Sequence, residues 1–163
     1  MKPEPTRYME KTKKDYETLG YEPYQWFQAT ESPAFKQLAK PLSDSKVGLI
    51  STAGTYLKGQ EAFFTKDDTS IRRIPNNSRL EDIRFAHIME NYLVEARQDP
   101  CTVFPLEALR KLQEERVIGE LATELLSCMG GIYSRSRVNE ELLPSLEQAL
   151  EDQRVDLLLL VPL

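Results

Sequence analysis

The sequence has few of the residues that build metal centres and disulfide frameworks. Among its 163 residues are two cysteines, Cys101 and Cys128, and one histidine, His87. The cysteines lie far apart and outside any C-x-x-C motif, so we expect buried structural thiols rather than a redox pair. A zinc site needs several Cys and His ligands at close spacing, and the sequence offers none, so no metal is predicted.

Positive charge and long apolar runs are also scarce. The formal net charge is -5, and the basic residues are scattered apart from Lys11, Lys13 and Lys14, which argues against a nucleic-acid surface. No stretch approaches the roughly 18 apolar residues of a membrane span. The start, Met1 to Pro5, lacks the apolar core of a secretory signal. We therefore expect a cytoplasmic protein without nucleic-acid or membrane partners.

Aromatic residues and prolines are concentrated at the beginning of the chain, and we interpret residues 1–45 as an arm that packs on the main domain. The pattern predicts one helix over Arg7–Leu19, stopped by Gly20, and a second, short helix over Pro33–Ala39. The arm's large rings are Tyr8, Tyr16, Tyr21, Tyr24, Trp26 and Phe27. A disordered tail seldom carries so many large apolar side chains.

The domain over residues 46–163 begins with an apolar run, Lys46–Ser51, which is typical of a strand buried on both faces in a parallel sheet. The small residues that follow, Thr52 to Gly54, allow a tight turn at the carboxyl end of the strand, where α/β sheets bind ligands. Lys58 and Arg72 flank the next loop. They either bind a carboxylate or phosphate group or lie exposed to solvent.

The rest of the chain alternates helix and strand patterns. We predict a partly helical segment over Leu80–Ala96, a helix over Pro105–Glu115, a strand over Val117–Ala122, and a glycine turn over Cys128–Tyr133. Asn139 is expected to cap a further helix with an apolar face. That face consists of Leu142, Leu143, Leu146, Ala149 and Leu150.

The last apolar run, Leu157–Val161, predicts a central parallel strand, and the whole pattern predicts an open, mostly parallel α/β sheet with flanking helices. A central strand normally feeds a loop and a crossover helix. Two interpretations stay open at this point. Either the domain ends on its last strand, or the sheet is truncated after it.

Several segments in a fixed order resemble component B (selenoprotein B) of the glycine, sarcosine and betaine reductases and the related D-proline reductases. The resemblance begins near Lys46 and extends to the end of the chain. It is carried by Val47–Lys58, Asp68–Pro75, the Ala-His step at His87, and Val103–Leu112 with Asp99 before it. Ile118-Gly119, Leu121-Ala122 and Met129-Gly130 follow in the expected order.

The resemblance implies a redox enzyme that uses selenocysteine or cysteine on small amino-acid-like substrates. In that family the reactive pair follows the strand matched here by Val155–Leu163, so none of it lies in this chain. We therefore expect an N-terminal portion, inactive alone, cut at a selenocysteine (UGA) codon after Leu163. No cofactor is expected within these residues. The expected partners are other reductase subunits, a thioredoxin-like electron donor and further copies of the chain.

Departures from the family pattern at Leu125, Cys101-Thr102 and Ile88–Arg97 leave the substrate unassigned. The resemblance leaves Thr52, Gly54, Lys58 and Arg72 as candidates to frame a substrate pocket. His87 is either a catalytic acid–base residue or a buried hydrogen-bonding residue.

Two other functional hypotheses remain. One is a stand-alone ligand-binding or scaffold domain, and the other is a non-redox enzyme that uses His87 with Lys58 and Arg72. The exposed edge of an incomplete sheet also predicts self-association of the 163-residue form.

Overall fold

The computed structural model describes residues 7–26, 28–34 and 36–163. The chain divides into two compact units, one up to Lys36 and one from Gln37 to Leu163. Among the described residues, no helix has both the length and the apolar character needed to cross a membrane.

The first unit contains helix α1 (Tyr8–Thr18), and Gly20 follows it with a positive φ of 77°, as predicted for a helix stop. Its rings pack edge to face on one another, with Tyr24 and Trp26 centroids 4.7 Å apart. The short helix predicted over Pro33–Ala39 is absent from its described residues, which excludes position 35. So short a helix is marginal without a packed face. Phe27, also assigned to the arm, lies outside the described residues. The packing of the arm on the domain stays a prediction.

The second unit is an α/β domain in which strands and helices alternate. Its strands are β1 (Lys46–Ser51), β2 (Thr55–Leu57), β3 (Arg72–Pro75), β4 (Ile83–Phe85), β5 (Glu120–Leu121), β6 (Glu124–Ser127) and β7 (Leu157–Val161). Its helices are α2 (Val94–Gln98), α3 (Leu106–Glu114), α4 (Arg135–Arg137) and α5 (Leu143–Asp152).

The main sheet is built around β1, which confirms the predicted fold class. β1 runs parallel to β5 and β6 on one side and to β7 on the other. β3 adds an antiparallel strand beyond β6. β2 and β4 form a separate antiparallel pair. The carboxyl ends of β1, β6 and β7 therefore meet at one edge of the sheet.

Strand β1 is buried on both faces because helices and loops cover both sides of the sheet. Leu49 packs in the larger core with Phe104, while Ile50 packs in the smaller core with Leu146. β7 is parallel to β1, as predicted. Among the described strands it pairs with β1 alone, and Leu160 is 63% exposed, so its central position stays a prediction.

The helix predicted after the glycine turn forms, but it begins earlier than expected. The Ser134 hydroxyl accepts a hydrogen bond from the Arg137 N–H, so Ser134 rather than Asn139 is the cap. A π-helical turn over Val138–Leu142 then leads into α5. Leu143, predicted on the buried face, is exposed, whereas the rest of that face is buried or partly buried. The extra residue in the π turn rotates the apolar face past Leu143.

The segment predicted to be partly helical, Leu80–Ala96, is mostly not an α-helix. It contains β4, two 3-10 turns and only the start of α2. Ile83 and Phe85 are buried while Arg84 is exposed, and this alternation is the period of a strand. The strand predicted over Val117–Ala122 shortens to β5, and Gly119 just before it lies against the backbone of Asp44 and Ser45.

Candidate functional site

Thr52 lies at the carboxyl edge of the sheet and is held by the neighbouring strand. Its N–H donates to the Val161 carbonyl at 3.1 Å. Its Oγ1 accepts a hydrogen bond from the Leu163 N–H at 2.9 Å. The next residue, Ala53, forms a bridge with Met129 beyond β6. Thr52 therefore joins the segments that follow three parallel strands, in the place where α/β sheets bind ligands.

Gly54 brings the turn after β1 against the segment that carries His87. Its φ is +62°, and its N–H donates to the Cys128 carbonyl at 3.1 Å. A Cβ on Gly54 would overlap the Ala86 carbonyl oxygen and lie 3.6 Å from the His87 Cβ. The absence of a side chain at position 54 is thus what allows His87 to approach the sheet edge.

His87 is 1% exposed, and backbone groups lie against its ring. Its Nδ1 accepts a hydrogen bond from the Met89 N–H at 3.0 Å. Its Nε2 is buried, with the Thr52 backbone carbonyl as its neighbouring acceptor, although this contact falls outside ordinary hydrogen-bond geometry. A Cβ built on Gly130 would lie 3.1 Å from this Nε2, 2.9 Å from the Thr52 carbonyl oxygen and 3.0 Å from Thr52 Oγ1. The bare Gly130 backbone therefore covers a small polar cluster.

Burial lowers the pKa of His87 below its ordinary value because the charged ring loses its hydration. The Glu90 carboxylate and the Thr52 carbonyl favour the protonated ring and act in the opposite direction. Burial dominates, so the ring is neutral at physiological pH.

An apolar cleft of about 410 Å³ borders this cluster on the face that α5 covers. Thr52 and Gly130 stand at its polar end. Its aliphatic walls include Ile50, Met129, Ile132, Leu146, Leu158 and Leu160. The volume is that of a small-molecule site, apolar with a few polar groups.

Both predicted anion-binding residues, Lys58 and Arg72, lie outside this cluster. The Arg72 guanidinium donates to the Glu61 carbonyl at 2.7 Å and to Ser70 Oγ at 2.7 Å, and it stacks on the Phe63 ring. Arg72 thus orders its own loop. Lys58 is exposed at the end of β2, where its backbone N–H donates to the Asp82 carbonyl. The structure brings Thr52, Gly54 and His87 together, but not these two cations.

The two cysteines are free thiols in different surroundings. Burial raises the pKa of Cys128 to about 11, which suppresses the reactive thiolate at neutral pH. Burial is also the largest cause that raises the pKa of Cys101, and the Asp99 and Glu107 carboxylates act in the same direction. Neither thiol has the electropositive setting of a redox cysteine. Among the described residues, no group of three or more His, Cys, Asp or Glu side chains is arranged to hold a metal ion.

A polar latch of Asp67, Thr69, Arg137 and Glu141 was not predicted from the sequence. Thr69 Oγ1 donates to Glu141 Oε2 at 2.5 Å, and Arg137 donates to the Asp67 carbonyl at 2.6 Å. The hydrogen bonds from Arg137, the largest cause, and Thr69 lower the pKa of Glu141 to about 2. The four-residue spacing of Arg137 and Glu141 was the available signal. This latch fixes the loop before β3 on α4 and the π-helical turn that follows it.

Comparison with known proteins gives one clear similarity. The chain is 30% identical over 132 residues to D-proline reductase subunit gamma of Acetoanaerobium sticklandii. The match covers 80% of this chain and 54% of the relative, so the chain spans about half the relative's length. This similarity supports a relationship to the proline and glycine reductase family. No protein-family profile matches the chain. No solved structure matches it either.

Proposed function

We propose that the chain forms part of a reductase subunit of the D-proline reductase type, acting on a small amino-acid-like substrate. The observation that carries this proposal is the similarity to D-proline reductase subunit gamma over four-fifths of the chain. The reductase segments noted in the sequence also follow one another in family order. Glycine, sarcosine, betaine and D-proline are the candidate substrates.

The carboxyl edge of the sheet supports a substrate site for this reaction. Thr52, Gly54 and His87 meet there beside an apolar cleft of about 410 Å³. A compact amino-acid-like molecule needs a few fixed polar groups and a small apolar wall, and both are present. Other reductase subunits are the expected partners, because the relative is itself named as a subunit.

The redox chemistry is proposed to come from a selenocysteine or cysteine in the half of the subunit that this chain does not span. Cys101 and Cys128 are poor candidates because burial raises the pKa of both thiols. Leu163 is hydrogen-bonded to Thr52 at 2.9 Å, so the segment after β7 reaches the candidate site. A thiol or selenol placed there would meet a substrate beside His87.

Sequencing the messenger RNA beyond the Leu163 codon tests the origin of this redox group. We expect UGA followed by an open frame that encodes a nearby cysteine, and selenium in the protein isolated from its own organism. A different stop codon, or no open frame, would refute the selenocysteine hypothesis. A domain that only binds its ligand would then be favoured, because the apolar cleft and the polar cluster remain without it.

A further inference from the structure

The hydrogen bond from Met89 fixes which ring nitrogen of His87 can donate. The Met89 N–H donates to Nδ1 at 3.0 Å, so Nδ1 must carry a lone pair. A proton on Nδ1 would place two donors against each other. In a neutral ring the proton then lies on Nε2. His87 is therefore held as the Nε2–H tautomer, with its donor next to the Thr52 backbone carbonyl.

The Thr52 carbonyl is the acceptor beside this buried donor. The contact falls outside ordinary hydrogen-bond geometry. A buried N–H that is left unpaired is costly, however, so the ring is held toward this oxygen. A Cβ built on Gly130 would lie 2.9 Å from the Thr52 carbonyl oxygen and 3.1 Å from Nε2. The bare glycine backbone therefore encloses the donor and its acceptor together.

Thr52 connects this contact to the segment after β7. Its N–H donates to the Val161 carbonyl at 3.1 Å, and its Oγ1 accepts a hydrogen bond from the Leu163 N–H at 2.9 Å. The carbonyl of Thr52 thus faces the segment that carries His87, while its N–H and hydroxyl hold the end of β7 and the residues beyond it. Because all three groups are attached to one residue, a shift of the carbonyl also moves the hydroxyl.

The His87 ring stands behind the candidate site and not in the apolar cleft. Among the described residues, those that line the cleft include Thr52 and Gly130 but not His87. A neutral ring whose donor faces a backbone carbonyl is also poorly placed to transfer a proton to a ligand, because loss of that proton would leave a buried anion. His87 can therefore act on the site through Thr52.

We propose that His87 is a positioning residue, which acts through Thr52 to hold the segment after β7 at the carboxyl edge of the sheet. The chain of contacts from His87 through Thr52 to Leu163 is the positioning link. The purpose of this link rests on the proposed function, in which the redox group lies beyond β7. The link then aligns that group with a substrate at the sheet edge.

The first test uses the unmodified ¹⁵N-labelled chain, whose single histidine gives unambiguous NMR signals. We expect the Nε2–H tautomer at neutral pH, with a ring proton that exchanges slowly with water. A protonated Nδ1, or a ring proton that exchanges as fast as that of free imidazole, would overturn the inference without any variant.

Two substitutions separate the two contacts of the ring. His87→Gln keeps a donor near the Nε2 position, whereas His87→Asn keeps only an acceptor for Met89. The quantity measured is the exchange of the Leu163 amide with water, by NMR. Since one hydrogen bond is lost, we expect exchange about three- to tenfold faster in the asparagine variant and within about twofold of wild type in the glutamine variant. Exchange that is unchanged by asparagine, or accelerated equally by both, would refute the link.

Thr52→Val and Thr52→Ser are the matched pair at the centre of the link. Valine removes the Oγ1 acceptor with little change of shape, and serine keeps it. We expect Leu163 amide exchange to rise about tenfold in the valine variant and to stay near wild type in the serine variant. Once Thr52 is valine, His87→Asn should add nothing further. Additive effects would show that His87 does not act through Thr52.

The consequence for the reaction is measured on the enzyme from the organism's own cells, with whichever of D-proline, glycine, sarcosine or betaine it reduces. We expect His87→Asn to lower kcat about tenfold with KM within about twofold of wild type, and His87→Gln to retain most of kcat. A raised KM with unchanged kcat would contradict a positioning role. Absence of reductase activity in the wild-type enzyme would refute the proposed function, whereas the NMR tests judge the link by itself.

Discussion

Replacement of Gly54 by alanine should disrupt the candidate site through a backbone clash. The residue has a φ of +62°, which costs an L-residue about 1–2 kcal/mol. The new Cβ would also overlap the Ala86 carbonyl oxygen and lie 3.0 Å from its carbonyl carbon. Forced overpacking of this kind costs about 1–3 kcal/mol. We expect Gly54→Ala to lower the free energy of unfolding by about 3 kcal/mol.

Gly59→Ala is the matched control, because Gly59 has a φ of +95° but nothing within 4 Å of its Cβ position. Gly59→Ala should lower the free energy of unfolding only by the cost of the positive φ, about 1–2 kcal/mol. Urea unfolding, followed by far-ultraviolet circular dichroism, measures the difference in stability between the Gly54→Ala and Gly59→Ala variants. A difference of about 2 kcal/mol corresponds to a shift of about 1 M urea. Equal midpoints for the two variants would refute the close approach of Gly54 and Ala86.

Three further predictions concern titrating groups. Since burial lowers the pKa of His87, stability should be full above the ordinary value of 6.5 and fall as pH drops toward the folded pKa. In urea unfolding, the free energy of unfolding of His87→Gln should depend less on pH over this range. The same pH dependence in the variant and the wild type would contradict the prediction. The buried Cys128 thiol has a pKa of about 11, so it should react with iodoacetamide at pH 8 far more slowly than the half-buried Cys101. Mass spectrometry measures the two rates of alkylation, and equal rates would show that Cys128 is accessible. Glu141→Gln should speed amide exchange in the loop before β3, and the neighbouring Glu140→Gln should not. Exchange left unchanged by both would refute the latch.

The strands and helices that carry a strong local pattern could be predicted from the sequence. Lys46–Ser51 and Leu157–Val161 are continuous apolar runs, and α3 has leucines at helical spacing. That β5, β6 and β7 all pair with β1 could not be predicted, because an apolar run does not indicate which neighbours pair with a strand. β2 and β4 have three residues each, so an alternation such as that of Ile83–Phe85 is too short to identify a strand from the sequence alone, and their pairing joins separate parts of the chain.

The candidate site could be predicted only in part. Thr52 and Gly54 follow β1, so their place at the carboxyl edge follows from the strand itself. The approach of His87 to Gly130 is a tertiary contact between segments far apart in sequence, and no local pattern encodes it. Arg72 illustrates the opposite failure. Its charge indicates anion binding, but its guanidinium is occupied by carbonyl groups and the Phe63 ring.

The most direct test of the reductase proposal is made in the organism that carries the gene. Its extract should oxidise a dithiol in the presence of D-proline, glycine, sarcosine or betaine. We predict that deleting the gene abolishes this oxidation with one of these substrates and that the full gene restores it. Oxidation that persists at the same rate with every substrate after deletion would contradict the account.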